Sequence, residues 1–169
     1  MTSTGSRAAH FSAYVNAFRS GAPWQYTVSS STTDFFNCGS GFGDGKYDLT
    51  VVGPNRFLRR VTGNALSASR GVETRSRIAV TSSTGKLALW LDFVNGSGSA
   101  VTFTVTSNNY RGDGPWTYAV AGGQSTSDYF DAVAYTNGWY DFTVTVTGDT
   151  SWSRRFTGHI ETGSPSVTG

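Results

Sequence analysis

Residues 45–64 read GKYDLTVVGPNRFLRRVTGN, and residues 138–159 read GWYDFTVTVTGDTSWSRRFTGH. Both contain G-x-Y-D-[LF]-T-V followed by R-R-[VF]-T-G, and the second stretch carries two more residues in the turn between the motifs. Within each motif, apolar and polar residues alternate, and Gly, Pro, Asn and Asp break the alternation once. Each stretch therefore reads as a β-hairpin. The correspondence continues upstream. FSAYVNAFR from Phe11 answers FTVTSNNYR from Phe103, PWQYTV from Pro23 answers PWTYAV from Pro115, and STTDFF ending at Phe36 answers STSDYF ending at Phe130. An offset of about 93 residues is the size of a small domain and exceeds that of a solenoid repeat. An internal duplication is expected.

Charged residues make up 14% of the chain, against roughly 25% in an average soluble domain. Glycine, serine and threonine are abundant, and no window carries a convincing helical stripe of apolar residues. The expected fold class is all-β: two tandem antiparallel β-sandwiches of immunoglobulin-like type. In the second copy, strands are predicted over 72–80, 86–94, 100–108, 116–121, 126–131, 138–147 and 151–159. The first copy is expected to lack the counterparts of the first two of these, which would lie before Met1. The predicted domains are 1–64, a linker over 65–71, a second sandwich over 72–163 and a tail over 164–169. Open sheet edges in the first module would seek cover, against the second module or by self-association.

A net charge of +2 with no long basic tract argues against nucleic acid. A single cysteine, Cys38, excludes an internal disulfide and any multi-cysteine metal site. No stretch reaches the roughly 20 apolar residues of a membrane span, and no export signal is visible at the start. Asp44, Asp113, Asp128 and Asp131 are oxygen ligands, but no calcium-loop pattern surrounds them, so no metal or other cofactor is expected. His10 and His159 fall on predicted strands without a catalytic motif, and Glu73 and Glu161 lack a partner acid at glycosidase spacing.

For the paired arginines Arg59, Arg60 and Arg154, Arg155 a structural reading comes first. Neighbours on a strand point to opposite faces, so one arginine of each pair must be held by a carboxylate or by carbonyls. Asp48 and Asp141, on the preceding strand of the same hairpin, are the nearest candidates. A phosphate clamp is the competing reading. Trp24 and Trp116 are expected core anchors. Trp139 and Trp152 stand where the first copy has Lys46 and Phe57, and with Asn137 they are candidates for an aromatic ligand platform. Phe42, in the glycine-rich stretch DFFNCGSGFGDG over 34–45, is a candidate loop-tip contact for lipid.

RRFTGHIETGSPSV over 154–167 and SNNYRGDGPWTYAVAGGQSTSDYF over 107–130, together with the two repeated motifs, resemble the C-terminal repeated domain of bacterial phosphocholine-preferring phospholipases C of the non-haemolytic and haemolytic type. In that family a large N-terminal domain, similar to acid phosphatases, carries the catalytic chemistry. The resemblance implies that this chain is a non-catalytic accessory module of a secreted enzyme. Its partners would be the catalytic domain and a phospholipid surface. An independent carbohydrate-binding module is the alternative.

Overall fold

The computed structural model describes residues 1–3, 6–21 and 23–167. Eleven strands and one short helix follow in chain order: β1 (Ala9–Ala17), β2 (Trp24–Val28), β3 (Lys46–Val52), β4 (Leu58–Asn64), β5 (Val72–Val80), β6 (Leu87–Asn95), β7 (Val101–Asn109), β8 (Trp116–Val120), β9 (Ser125–Phe130), α1 (Ala132–Thr136), β10 (Trp139–Val146) and β11 (Asp149–His159). The strands expected after residue 71 lie where the alternation placed them. The helix is invisible to that pattern, because five residues are too few to display a helical period. Asp131 caps its N-terminus by accepting a bond from the Ala134 amide at 3.3 Å.

All strand pairs are antiparallel, and they form two sheets. The larger has eight strands in the order β2-β1-β3-β4-β11-β10-β7-β8, and the smaller three in the order β5-β6-β9. Read inward from either edge, the larger sheet presents the same succession of corresponding strands. Its halves meet where β4 pairs with β11, with Arg60 directly opposite Arg155 and Val61 opposite Arg154. The sequence leads to the expectation of two modules joined by a linker over 65–71. In the structure this segment is a turn leading from β4 to β5, and the large sheet runs without a break across both halves. The last two residues of the expected tail, 168 and 169, lie outside the described residues.

The three-stranded sheet packs over the second half, and the main core lies between the two layers. From β10 it takes Tyr140, Phe142, Val144 and Val146, which alternate with Asp141, Thr143 and Thr145 on the outer face. Leu89, Leu91 and Phe93 of β6 press against Phe103 and Val105 of β7. Trp116 packs on this cluster edge-to-face with Phe130 at 5.0 Å, as expected of an anchor. Its counterpart Trp24 meets Phe36 in the same manner at 4.9 Å, and both tryptophans are partly buried.

Trp152 departs from expectation. Its ring is 2% exposed, and its indole N–H donates to the Val72 carbonyl at 3.2 Å, so it cannot form part of a surface platform. It occupies an inward position of β11, two residues before the equally inward Arg154. Strand alternation requires that placement once the register of the arginines is known. Trp152→Ala should therefore cost about 3–5 kcal/mol in chemical denaturation, the range for deleting a buried aromatic. Trp139→Ala should cost less than half as much, and similar losses for the two would contradict this assignment of the core.

Candidate functional site

The repeated motifs resolve into one polar assembly at the junction of β4 and β11. On the outer face, Arg60 grips both oxygens of Asp48 through Nε at 2.9 Å and Nη2 at 2.7 Å. Arg155 does the same to Asp141 at 2.9 and 2.6 Å. Asn16 donates to Asp48 and Asn108 to Asp141, each at 2.8 Å. The row across the sheet thus reads Asn16, Asp48, Arg60, Arg155, Asp141, Asn108, with two like charges in the middle and an acid beside each. Cross-strand neighbours of opposite charge stabilise a sheet and like charges oppose it, so the acids make the central pair tolerable. Both forks are already filled by carboxylates, which favours the ion-pair reading of these arginines over a phosphate clamp.

On the inner face the arginines exchange halves. Arg59 donates to the Thr157 carbonyl at 3.0 Å and to the Tyr140 hydroxyl at 3.2 Å, both in the second half. Arg154 donates to the Thr62 carbonyl at 2.7 Å and to the Tyr47 hydroxyl at 3.0 Å, both in the first. A side chain at Gly63 would strike the Tyr47 hydroxyl, and one at Gly158 the Tyr140 hydroxyl. The shared spacing of the two motifs thus has a physical basis. The tyrosine reaches the opposite half, the aspartate holds its own outer arginine, and the glycine leaves room for the tyrosine.

One difference breaks the correspondence. Arg154 is buried and bound to Glu73 of β5 through Nε at 2.6 Å and Nη2 at 2.9 Å. Arg59 finds only the Ser76 hydroxyl of β5, at 3.1 Å, in the equivalent direction. Sequence reasoning assigns no role in this assembly to Tyr47, Tyr140, Asn16, Asn108, Glu73 or Ser76. For the two tyrosines a signal is present, since each stands in the shared G-x-Y-D motif.

The remaining candidates are dispersed. Trp139 lies between Tyr110 at 6.1 Å and His159 at 4.4 Å, with the Arg56 guanidinium 5.3 Å from its ring. Phe42 is exposed in a turn, with Arg19 5.2 Å from its ring and Phe18 nearby across Gly43. His159 is held by Glu161, the Asn137 carbonyl and Ser166, while His10 is held by Gln25 and Thr27. Asp128 accepts from the Tyr118 hydroxyl at 2.6 Å, and burial together with that carboxylate pushes the tyrosine's pKa up. The same pairing of Tyr26 with Asp34 raises Tyr26 to about 12, again mainly through burial. Asp113 pairs with Arg111, Asp131 caps α1, and Asp44 accepts from the Gly41 amide. Among the described residues, no three His, Cys, Asp or Glu side chains are grouped closely enough to hold a metal ion.

The fold and this junction define the chain as an antiparallel β-sandwich module. The family described as bacterial phospholipase C, C-terminal domain, matches residues 1–64 and 72–159, and the chain belongs to it. It is 33% identical over 145 residues to a non-hemolytic phospholipase C of Burkholderia pseudomallei, covering 86% of this chain and 20% of that protein. It is also 33% identical to a non-hemolytic phospholipase C of Pseudomonas aeruginosa, covering 95% of this chain and 23% of the relative. A hemolytic phospholipase C of the same organism matches at 33% over 73% of the chain. The chain spans about a fifth of the length of the curated relatives it matches.

Two predictions test this junction. Arg154→Met should cost roughly 3–5 kcal/mol in equilibrium denaturation, because it strips a buried ion pair of one partner. Arg60→Met, whose guanidinium lies at the surface, should cost about 1 kcal/mol or less. The second prediction concerns acid. Hydrogen bonds from Arg60 hold the Asp48 carboxyl below its ordinary value near 3.8. Burial pushes the Asp141 carboxyl up, but bonds from Arg155 and Asn108 outweigh it and the net shift is downward. A depressed folded pKa adds stability that is complete above the unfolded value and disappears as pH falls through the folded one. The melting temperature should stay level from about pH 7 to about pH 5 and drop below about pH 4. A double Asp48→Asn, Asp141→Asn variant should melt lower at neutral pH and show a shallower acid drop.

Proposed function

We propose that this chain is a non-catalytic accessory domain of a secreted bacterial phospholipase C, which supports the catalytic part of that enzyme and its approach to lipid. One observation carries the reading: the carboxylates and histidines that could perform hydrolysis are committed to scaffold bonds. Asp48, Asp141 and Glu73 are tied to arginines, and both histidines are held by neighbours within the fold. Phosphodiester hydrolysis needs positioned charge-neutralising groups and an activated nucleophile.

The lipid-facing element of this reading is the tip of the first half. Phe18, Phe35 and Phe42 are exposed there, with Arg19 beside Phe42 and Lys46 5.9 Å from the Phe18 ring. Exposed aromatic rings with basic neighbours suit an interface between headgroups and acyl chains. The carbohydrate alternative loses support, since Trp152 is internal and Trp139 is already flanked by Tyr110, His159 and Arg56.

The purified chain should release no phosphocholine from phosphatidylcholine vesicles, with or without added divalent metal, yet sediment with them. Phe18→Ser together with Phe42→Ser should reduce the sedimented fraction severalfold. Metal-dependent turnover that is abolished by changing an Asp or His of this chain would overturn the non-catalytic reading. Sedimentation unaffected by the double change would remove the lipid element from it.

A further inference from the structure

The first half of the large sheet has an inner face that is only partly covered. Under the three-stranded sheet, Phe142 and Val144 are fully buried, whereas their counterparts Leu49 and Val51 remain half-exposed. Beside that face runs β5, which pairs with β6 on one side only. Between them lies a groove of about 710 Å³ whose walls include Phe11, Phe57, Arg59, Ser76, Ile78 and Tyr140. Ile78 and Val80, which point the same way from β5, are 44% and 58% exposed. An open strand edge above uncovered apolar residues is a template for a further strand.

Three details indicate what that strand is. First, Thr2 bridges Ser31, the Ser3 amide donates to the Ser30 carbonyl at 2.8 Å, and the Thr32 amide donates to the Met1 carbonyl at 2.9 Å. In the second half the corresponding positions are Val94 opposite Ser125, the Asn95 amide donating to the Gln124 carbonyl at 2.9 Å, and Phe93 opposite Thr126. Met1–Ser3 thus hold the place of the last rungs of β6. Second, β9 pairs with β6 through Phe130, whereas the corresponding residues Thr33–Phe36 lie outside the eleven strands. Third, Arg154 has the Glu73 carboxylate from β5, and Arg59 has no carboxylate among the described residues.

We propose that the inner face of the first half seats a β-hairpin, the counterpart of β5–β6, supplied by the additional polypeptide that the longer phospholipase relatives carry ahead of this region. Its second strand continues the ladder begun at Thr2 along Thr33–Phe36. Its first strand lies in the groove beside β5 and brings a carboxylate to Arg59. Chain connectivity selects this source: β5–β6 leads directly into β7, and the counterpart of β7 is β1. A hairpin at this position also buries Leu49, Val51 and Phe57 and pairs an edge strand, two gains that a loosely docked peptide would have to secure against its ordering cost.

The test is a copy of residues 71–92, GVETRSRIAVTSSTGKLALWLD, fused directly before Met1, which places Met1 in the register of Phe93. Hydrogen exchange should slow at least about tenfold at amides 32–36 relative to the unextended chain, with exchange in β7 and β10 unchanged as the folding control. The thermal midpoint should rise, and an extension whose glutamate is replaced by glutamine should recover only part of that rise. A synthetic peptide of the same sequence, added to the unextended chain at high concentration, provides a second measurement should the fusion fail to fold. No slowing at 32–36 in either format would overturn the proposal. It would also be overturned if the unextended chain is a stable dimer in which those amides are already protected, for a second copy would then occupy the groove.

Discussion

The pairing of β4 with β11 is the constraint on which the rest of the molecule depends. Each strand would otherwise be the outermost of a four-stranded sheet, with a row of unpaired backbone groups. Joining them removes both edges at once. It also places Arg60 against Arg155 and forces Arg59 and Arg154 to reach across the junction for acceptors. A cation buried without partners is costly, and here carbonyls and a tyrosine hydroxyl from the opposite half meet the need. The halves are thus interdependent: neither inner arginine could be satisfied in the same way by its own half.

From this junction follows the position of the second layer. β5 crosses above it, with Glu73 bound to Arg154 and Ser76 to Arg59, before β6 and β9 spread over the second half. The core therefore gathers on one side. Phe142 and Val144 are enclosed, while their counterparts Leu49 and Val51 in the first half remain partly open. The molecule is symmetric in its large sheet and asymmetric in what covers it.

The same organisation bears on the relation to phospholipases C. Asp48, Asp141 and Glu73 bind arginines on other strands, and His10 and His159 are held by neighbours within the fold. Surface aromatics such as Phe42 and Phe18 are exposed.

Period-two alternation and turn residues determined the strands, because side-chain direction in a strand depends only on local sequence; β5 to β11 could be read directly. The same rule stated that one arginine of each pair must face inward, but Asp48 and Asp141, the expected holders of that inner arginine, bind the outer Arg60 and Arg155 instead, while Arg59 and Arg154 are held by carbonyls, tyrosine hydroxyls and Glu73. The repeat led to an expectation of two tandem sandwiches, whereas the structure joins the corresponding strands into one eight-stranded sheet with a three-stranded sheet over its second half. Which edge pairs with which is a contact between residues about 95 positions apart, and local pattern carries no information on it. For that reason the exchange of Arg59 and Arg154 between halves was hidden, as was the role of Tyr47 and Tyr140. Trp152 illustrates the limit at a single residue. Its absence from the first copy suggested a ligand contact, whereas tertiary structure enclosed it beneath β5, where only the second half has a layer to cover it.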